Sequence, residues 1–453
     1  MSAFEQILHH LENAESESLN SKLFDQTRVQ LKDPSLYEST DVLNEFGSKV
    51  IKIVSSNNTS ANWKSRSIEL LDEILNHYSF DIVVQTFSLE MLIAGLQGQN
   101  EDLKVLIIEI VSRASPPDLV ANTPFVTTML TSLTKVDTSV KTVNAIEKAL
   151  VQLAHGELVQ RRLLSKECQE LLDRIRNDPK VLSRCFDLSL QLLPIIHDLP
   201  SHLYLMSEQE FVNSNDVLLN AYIISFYNKL LDVVEVSNLP LWDKLDEQFG
   251  YICKLYVDDN FMANLKIFFT LEPVVILAHL SHSSKRKFLC LDQKYHIVKH
   301  AITHFDEPSI FLLANIDPAL LSTQTEFLQS LPLTATTVPI FGNLSSNAHV
   351  FEKLGVSPSK VLNLSTTSFL ELLKELSSHQ HAVQQLIHWP TVMNRLLNEY
   401  TNITNPEIWK LKMTILQNLF NDDIDIWREK VQQEIKRMKG HTEAQVDVMD
   451  TTA

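Results

Sequence analysis

The stretch NEDLKVLIIEIVSRASPP, residues 100–117, carries the pattern that decides the fold. Its apolar residues recur every three or four positions, at Leu103, Leu106, Ile107, Ile110 and Val111. That spacing places them on one face of an α-helix. Asp102 stands at the start as an N-cap, and Pro116-Pro117 ends the pattern because proline cannot continue a helix. The stretch therefore predicts one amphipathic helix that must bury its apolar face against a neighbour.

The same opening recurs along the chain at nearly regular intervals. An aspartate followed three residues later by an apolar residue precedes five helical runs, at Asp102, Asp137, Asp178, Asp216 and Asp259. The intervals are 35, 41, 38 and 43 residues. Two helices in about 40 residues is the period of HEAT and armadillo arrays, in which each helix pair stacks on the next. We predict an all-α protein, a HEAT/armadillo-like α-solenoid forming a curved superhelix of about ten or eleven helix pairs. An irregular helical bundle is the alternative.

Composition supports a single array of helices. The 453 residues include only 8 glycines and 16 prolines, so tight turns that need positive φ are rare. No stretch is rich enough in Gly, Ser or Pro to separate domains. We expect residues 1–440 to form one continuous solenoid, and residues 441–453, which lose the periodicity, to form a flexible tail.

The charge balance bears on the kind of partner. Asp and Glu number 56 against 39 Lys and Arg, for a net charge of −17. Because nucleic-acid affinity comes mainly from cations that neutralise phosphates, direct nucleic-acid binding is not expected. A basic surface on a protein partner is favoured instead.

Cysteine usage and the N-terminus bear on the compartment. The four cysteines form no CxxC pair, which favours small core residues in a reducing environment. The N-terminus shows no signal-peptide pattern, and we find no apolar run of 18 residues that would span a membrane. We expect a location in the cytoplasm or the nucleus, with no membrane partner.

The sequence contains only weak matches to motifs for metal binding, phosphate binding or catalysis. His296, His300 and His304 recur at helical spacing, but the glutamate of a zinc-protease HExxH motif is missing. Gly95-Leu-Gln-Gly98 is too short to hold a phosphate. We therefore expect no enzyme, and no catalytic, metal or cofactor site.

One helix departs from ordinary amphipathicity. The run DVLLNAYIISFYNKLLDVV, residues 216–234, has a core face and a second side that is also apolar. A helix that is apolar all round must be covered on both sides, either by burial in a thick superhelix or by a partner in a concave groove. For the partner hypothesis, Tyr227 is the aromatic anchor, and NFMANLKIFF (residues 260–269) extends the patch. The candidate partner-binding residues are Asn220, Ile224, Tyr227, Asn228, Leu231, Asn260, Asn264 and Phe268.

Four segments carry a resemblance to a known family. They are AIEKAL (residues 145–150), EL-x-x-RRL (157–163), FYNKLLDVV (226–234) and GNLS (342–345). At these segments the chain resembles a yeast family of proteasome-dedicated assembly chaperones that bind an ATPase subunit of the regulatory-particle base. The same family is also labelled as DNA mismatch repair proteins.

The resemblance implies a function as well as a fold. It implies a C-shaped HEAT-like solenoid whose concave surface holds the C-terminal domain of one AAA-type ATPase, the first of the six in the base. It also implies contacts with the neighbouring second ATPase and with the large non-ATPase scaffold subunit, and absence from the mature proteasome. A different HEAT-type adaptor, in DNA repair or nuclear transport, is the alternative function.

The paired arginines in the second of these segments have a structural interpretation. Adjacent residues on a helix point about 100° apart, so Arg161 and Arg162 cannot clamp one target together. We expect at most one of them to face a partner, and the other to pair with a nearby carboxylate or with water.

Overall fold

The computed structural model describes residues 3–37, 39–56, 58–214, 216–266, 271–399, 403, 405–422 and 424–450. Every regular element in these ranges is helical, with 29 α-helices and six short 3-10 helices, and no strand occurs among them. The prediction of an all-α protein is confirmed.

The chain divides into two compact units, although the sequence pattern predicts one continuous array over residues 1–440. Unit 1 comprises Met1–Met206 and Ser237–Leu239, and unit 2 comprises Ser207–Val236 and Pro240–Ala453. The last helix spans Arg428–Asp450, so residues 441–450 are helical where a tail is predicted.

Unit 1 contains twelve α-helices. They are α1 (Ala3–Glu12), α2 (Ser21–Gln30), α3 (Asp41–Ser55), α4 (Ala61–Leu75), α5 (Phe80–Thr86), α6 (Leu89–Gln97), α7 (Glu101–Ser112), α8 (Phe125–Leu133), α9 (Val140–Leu153), α10 (Glu157–Leu163), α11 (Lys166–Asn177) and α12 (Leu182–Leu192). Helices α4, α7, α9 and α12 pack side by side in one row, and α6, α8 and α11 form a second row. Each helix of the second row pairs with one of the first, as in a HEAT/armadillo-like α-solenoid.

Unit 2 contains the remaining seventeen. They are α13 (Glu208–Asn213), α14 (Val217–Val236), α15 (Asp246–Val257), α16 (Ala263–Lys266), α17 (Glu272–Ser283), α18 (Lys285–Tyr295), α19 (Ile297–His304), α20 (Glu307–Asn315), α21 (Thr325–Ser330), α22 (Val338–Ser345), α23 (Ala348–Lys353), α24 (Pro358–Leu362), α25 (Thr366–Ser377), α26 (Gln380–Leu386), α27 (Pro390–Asn398), α28 (Pro406–Asn421) and α29 (Arg428–Asp450). Helices α14, α17, α20, α22, α25 and α28 form one row, and shorter helices such as α15, α23 and α26 pack against it. The α-solenoid prediction therefore holds within each unit.

Helix capping follows the predicted aspartates only in part. Asp216 accepts hydrogen bonds from the backbone N–H groups of Leu218 (3.0 Å) and Leu219 (3.1 Å) at the start of α14, as predicted. Asn100 and Ser139 cap α7 and α9 instead of Asp102 and Asp137, because side chains of Asn and Ser accept the same N–H groups equally well. The aspartate positions therefore mark the repeat but not the exact helix starts.

The remaining two aspartates also lie outside the cap position. Helix α12 begins at Leu182, and the carboxylate of Asp178 accepts the N–H of Lys180 in the preceding turn. Asp259 lies in a turn before α16, which begins at Ala263.

Arginine side chains tie neighbouring helices together through backbone carbonyls. In unit 1, the guanidinium of Arg184 on α12 donates to the carbonyls of Leu133 (2.9 Å) and Lys135 (2.7 Å) at the end of α8. In unit 2, Arg395 on α27 donates to the carbonyls of Leu362 (2.6 Å) and Leu364 (3.2 Å) at the end of α24. Carbonyls at a helix C-terminus lack partners within the helix, so these contacts satisfy them and fix one repeat against the next.

The prediction that no apolar run is long enough to span a membrane is wrong in one place. Among the described residues, α14 has the length and the apolar composition of a membrane span, and the bent pair α5–α6 passes the same test only if taken together. A core helix of a folded domain has the same composition, and eight residues of α14 are buried within unit 2. Packing accounts for its composition.

Candidate partner-binding surface

Helix α14 buries most of the residues expected to face a partner. Asn220, Ile224, Tyr227 and Leu231 are all at most 1% exposed. The expectation that this side of the helix lines an open groove is therefore wrong. The other interpretation of the apolar composition, burial on both sides, describes the structure.

Aromatic residues from two other helices cover the second side of α14. The ring of Tyr227 lies 6.3 Å from that of Tyr251 on α15, and Tyr251 stacks on Phe211 of α13 at 4.7 Å. Burial raises the pKa of Tyr251 well above its usual value, and the neighbouring Tyr227 adds to the shift. On its other side α14 packs against α17. The aromatic contacts therefore make Tyr227 a core residue.

The other predicted residues do not join one surface. Asn228 is half-buried at the side of α14 that faces α17, whereas Asn260 and Asn264 are exposed around the short helix α16. The backbone N–H of Asn260 bonds to the carboxylate of Asp258 in a local turn (3.0 Å). Phe268 lies outside the described residues. Of the predicted residues, Asn228 contacts a cluster of polar side chains on α14 and α17.

His279 on α17 connects that asparagine to the acidic end of α14. Its Nδ1 lies 3.4 Å from Oδ1 of Asn228, and its Nε2 lies 3.3 Å from Glu235 and 3.6 Å from Asp232. The hydroxyl of Ser283, one turn further along α17, donates to Glu235 (2.7 Å). We call Asp232, Glu235 and His279 the α14–α17 acidic patch.

The acidic patch is open to solvent, and its environment favours the negative charge of Glu235. Hydrogen bonds from Ser283 and then His279 lower the pKa of Glu235, which favours the ionised carboxylate. The side chains of Asp232 and Glu235 are 65% and 55% exposed. An exposed pair of carboxylates is a surface that a basic protein partner can contact.

The spacing of residues in the sequence contains a signal for this patch. Asp232 and Glu235 lie three residues apart on one helix face, and His279 follows them by 47 and 44 residues. That separation is close to one repeat of about 40 residues, so the stacking of α17 on α14 brings the three together. Residues one repeat apart become neighbours in a solenoid, and the repeat length could have pointed to them.

The three histidines at helical spacing do not converge. His296 has positive φ (56°) and lies at the junction of α18 and α19. The rings of His300 and His304 stack at 4.0 Å, and Tyr256 lies 4.8 Å from His300. No group of three metal-binding side chains occurs among the residues that the structure describes.

Arg161 and Arg162 each have their own carboxylate. Arg162 pairs with Glu167 at 2.7 Å, whereas the more exposed Arg161 lies 4.0 Å from Glu157. The two guanidinium groups thus form separate pairs, as their positions on the helix predict.

Two family models match nearly the whole chain. The model described as DNA mismatch repair protein HSM3, N terminal domain, matches residues 5–232. The model described as DNA mismatch repair protein HSM3, C terminal domain, matches residues 240–453. The gap between the two models, residues 233–239, includes the short segment Ser237–Leu239 of unit 1, whereas unit 2 already begins at Ser207, inside the first model.

Several yeast proteins are similar to this chain over most of their length, and each carries the name DNA mismatch repair protein HSM3. The protein of Candida albicans is 28% identical over 419 residues, covering 85% of both chains. That of Debaryomyces hansenii is 26% identical over 400 residues, covering 82% of this chain and 78% of the relative. That of Saccharomyces cerevisiae is 21% identical over 394 residues, covering 82% and 80%.

Proposed function

Because the chain belongs to the DNA mismatch repair protein HSM3 family, we propose that it is a proteasome-dedicated assembly chaperone without enzymatic activity. In this proposal it binds the C-terminal domain of one AAA-type ATPase of the regulatory-particle base, the first of the six. It also brings together the neighbouring second ATPase and the large non-ATPase scaffold subunit. It works in the cytoplasm or the nucleus and leaves before or upon completion of the proteasome.

The observation that best supports a scaffolding role is the way successive helices are fixed to one another. Side chains such as Arg184 and Arg395 bond to carbonyls of the preceding helices, and Asn343 on α22 does the same to Leu313 (3.1 Å) and Ile316 (2.8 Å). A surface built on helices that are held in this way is preorganised, which reduces the entropy lost when a partner binds.

The α14–α17 acidic patch is the proposed contact for the ATPase domain. Its carboxylates are exposed, and it takes the place of the Tyr227 side of α14, which is buried, as the candidate contact. We expect it to meet a basic surface of the ATPase and to contribute more to orientation and association rate than to raw affinity.

Release requires different affinities for two states of the ATPase. A chaperone leaves only if docking of the core particle lowers its affinity for the bound domain, through overlap of the two surfaces or a change in the ATPase. Tight binding to both states of the ATPase would block assembly of the proteasome, so the difference between the two affinities matters more than the size of either one.

The name of the family supports a second candidate, a scaffold in DNA mismatch repair. The net charge of −17 opposes direct contact with DNA phosphates, so such a role would act through protein partners. Salt-sensitive retention of the purified protein on DNA would favour this candidate over the first.

Affinity purification from yeast cells tests the proposal. The tagged chain should enrich base ATPases and recover few core-particle subunits, and the double variant Asp232→Lys/Glu235→Lys should reduce ATPase recovery about tenfold. Glu326→Lys/Glu352→Lys is the matched control, because these exposed carboxylates of unit 2 carry the same charge change elsewhere. Equal recovery of assembled core particle would contradict the chaperone function. An unchanged recovery with both variants would contradict the patch alone.

A further inference from the structure

Unit 1 contains an apolar cavity between α3 and α6. Its volume is about 500 Å³, and α4 and α7 contribute residues to its lining. Lining residues include Val54, Leu75, Met91, Leu103, Ile107 and Ile110. Met91 is 46% exposed, and Leu103 is half-buried. Apolar side chains of two neighbouring helix pairs thus remain in contact with solvent.

A close contact between α3 and the α5–α6 bend shapes one end of this region. Helices α5 and α6 meet at 89°, and the ring of Phe87 at the bend lies against Gly47 of α3. A Cβ on Gly47 would lie 2.4 Å from Cζ of Phe87, so the approach requires glycine. The α5–α6 bend therefore contacts α3 through Phe87. Beyond this contact, the cavity opens between α3 and α6.

One charged side chain lines the cavity. Lys64 on α4 is half-buried, and among the described residues it forms no ion pair with a carboxylate. The other polar lining residues, Ser55, Gln99 and Asn100, are neutral. The lining is otherwise apolar or neutral, so Lys64 favours an occupant that is apolar and carries one negative charge to pair with it, although the net charge of −17 favours basic partners elsewhere on the protein.

We propose that this cavity docks one amphipathic helix of a partner protein, whose apolar side chains fill it and whose acidic side chain pairs with Lys64. Recognition of an apolar helix face by a groove between helices is a recurring mode of binding. A small amphiphile fits less well, because pockets for small molecules bury most of the ligand surface, whereas this cavity is open along Met91. The site lies in unit 1, does not include the acidic patch, and does not rest on the proposed ATPase partner.

Two synthetic peptides test this inference with the purified full-length protein. Both are fluorescein-labelled amphipathic helices of about 18 residues with a leucine face, and they differ only in carrying glutamate or lysine beside that face. Fluorescence anisotropy should show that the glutamate peptide binds at least about tenfold more tightly than the lysine peptide. Lys64→Glu should reverse this preference.

Two further variants separate cavity filling from charge. Ala94 is an exposed lining residue, so Ala94→Trp should fill the cavity and weaken both peptides. Lys148→Glu, at an exposed lysine on α9 of the same unit, is the matched control and should leave both affinities unchanged. Circular dichroism of each variant establishes that the helices are intact.

Three results would overturn the proposal. The first is no binding, or equal binding of both peptides to the unchanged protein. The second is displacement of the glutamate peptide by dodecanoate at similar concentration, which would indicate a small amphiphile. The third is self-association of the chain that Ala94→Trp abolishes, which would make a second copy the occupant.

Discussion

Asp118 lies so close to Gly156 that a Cβ on the glycine would be 2.3 Å from its Oδ1. The same oxygen accepts hydrogen bonds from the backbone N–H groups of Leu158 (2.9 Å) and Val159 (3.3 Å). The carboxylate from the short helix at Pro117–Val120 therefore caps α10, which begins one residue after the glycine. The break between α9 and α10 is fixed by a side chain 38 residues earlier in the chain.

Gly156→Ala should destabilise unit 1 by about 1–2 kcal/mol, because the added methyl group displaces the capping carboxylate. Asp118→Ala should cost a similar amount, since it leaves the same N–H groups without their partner. The double variant should cost less than the sum, because each change removes the same contact. Urea denaturation measures all three, and full additivity would show that the two residues act independently.

Glu147 on α9 should make stability depend on pH. Burial raises the pKa of its carboxyl from 4.5 to about 7, Asp187 adds to the shift, and Arg184 opposes it. The folded state thus binds more protons than the unfolded state between these values, so stability falls as the pH rises from 4.5 to 7 and remains lower above. Glu147→Gln should stabilise the protein at pH 8 by about 1–2 kcal/mol, a figure reduced for partial solvent screening.

The comparison of melting temperatures at pH 5 and pH 8 checks this effect. The difference between Glu147→Gln and the unchanged protein should be small at pH 5 and larger at pH 8. Glu109→Gln, at an exposed position of the neighbouring helix α7, serves as the control and should show the same small effect at both values. An equal effect of Glu147→Gln at pH 5 and pH 8 would contradict the shifted pKa.

Sequence periodicity predicted what is local and missed what depends on distant segments. The apolar spacing of Leu103–Val111 is enough to predict α7, because helix formation depends on neighbours three and four residues away. Helix α7 is capped by Asn100 and not by Asp102; both side chains can cap a helix, and the apolar pattern does not distinguish between them. Helix boundaries were accordingly less well predicted than the helices themselves.

The candidate site was harder to predict because its accessibility is a tertiary property. The side of α14 with Tyr227 is apolar whether a partner or Tyr251 covers it, and the sequence of α14 is the same in both cases. The acidic patch likewise exists only once α17 places His279 beside Glu235. The burial of Tyr227 and the assembly of the acidic patch both depend on the register in which the helices stack.

Tyr227→Ala with Leu231→Ser should unfold part of unit 2 rather than weaken binding selectively. Both side chains are 1% exposed, and removal of a large buried side chain costs about 3–5 kcal/mol. The variant should lower the denaturation midpoint and the helix content at physiological temperature. Ser225→Ala, at an exposed position of the same helix, should change neither. Native stability of the double variant would show that this side of α14 is not part of the core.

Lys412 and Glu434 form a buried ion pair that fixes α29 to α28. Lys412 is 0% exposed, its Nζ lies 2.5 Å from Glu434 Oε1, and Arg437 bonds to the same oxygen at 2.6 Å. Burial lowers the pKa of Lys412 even though Glu434 opposes the shift. Glu434→Leu should cost about 3–5 kcal/mol, because it leaves a buried ammonium group without its partner.

The variant Lys412→Met/Glu434→Leu should recover most of that loss, since two apolar side chains of similar volume replace both charges at once. Urea denaturation of the single and double variants measures the difference. Because Arg437 is exposed enough to turn towards solvent, it should tolerate the double change. The double variant could instead be as unstable as Glu434→Leu. That result would contradict the prediction, because it would show that the packing of α29 depends on the bond between the Glu434 carboxylate and Arg437 and not on neutralising Lys412.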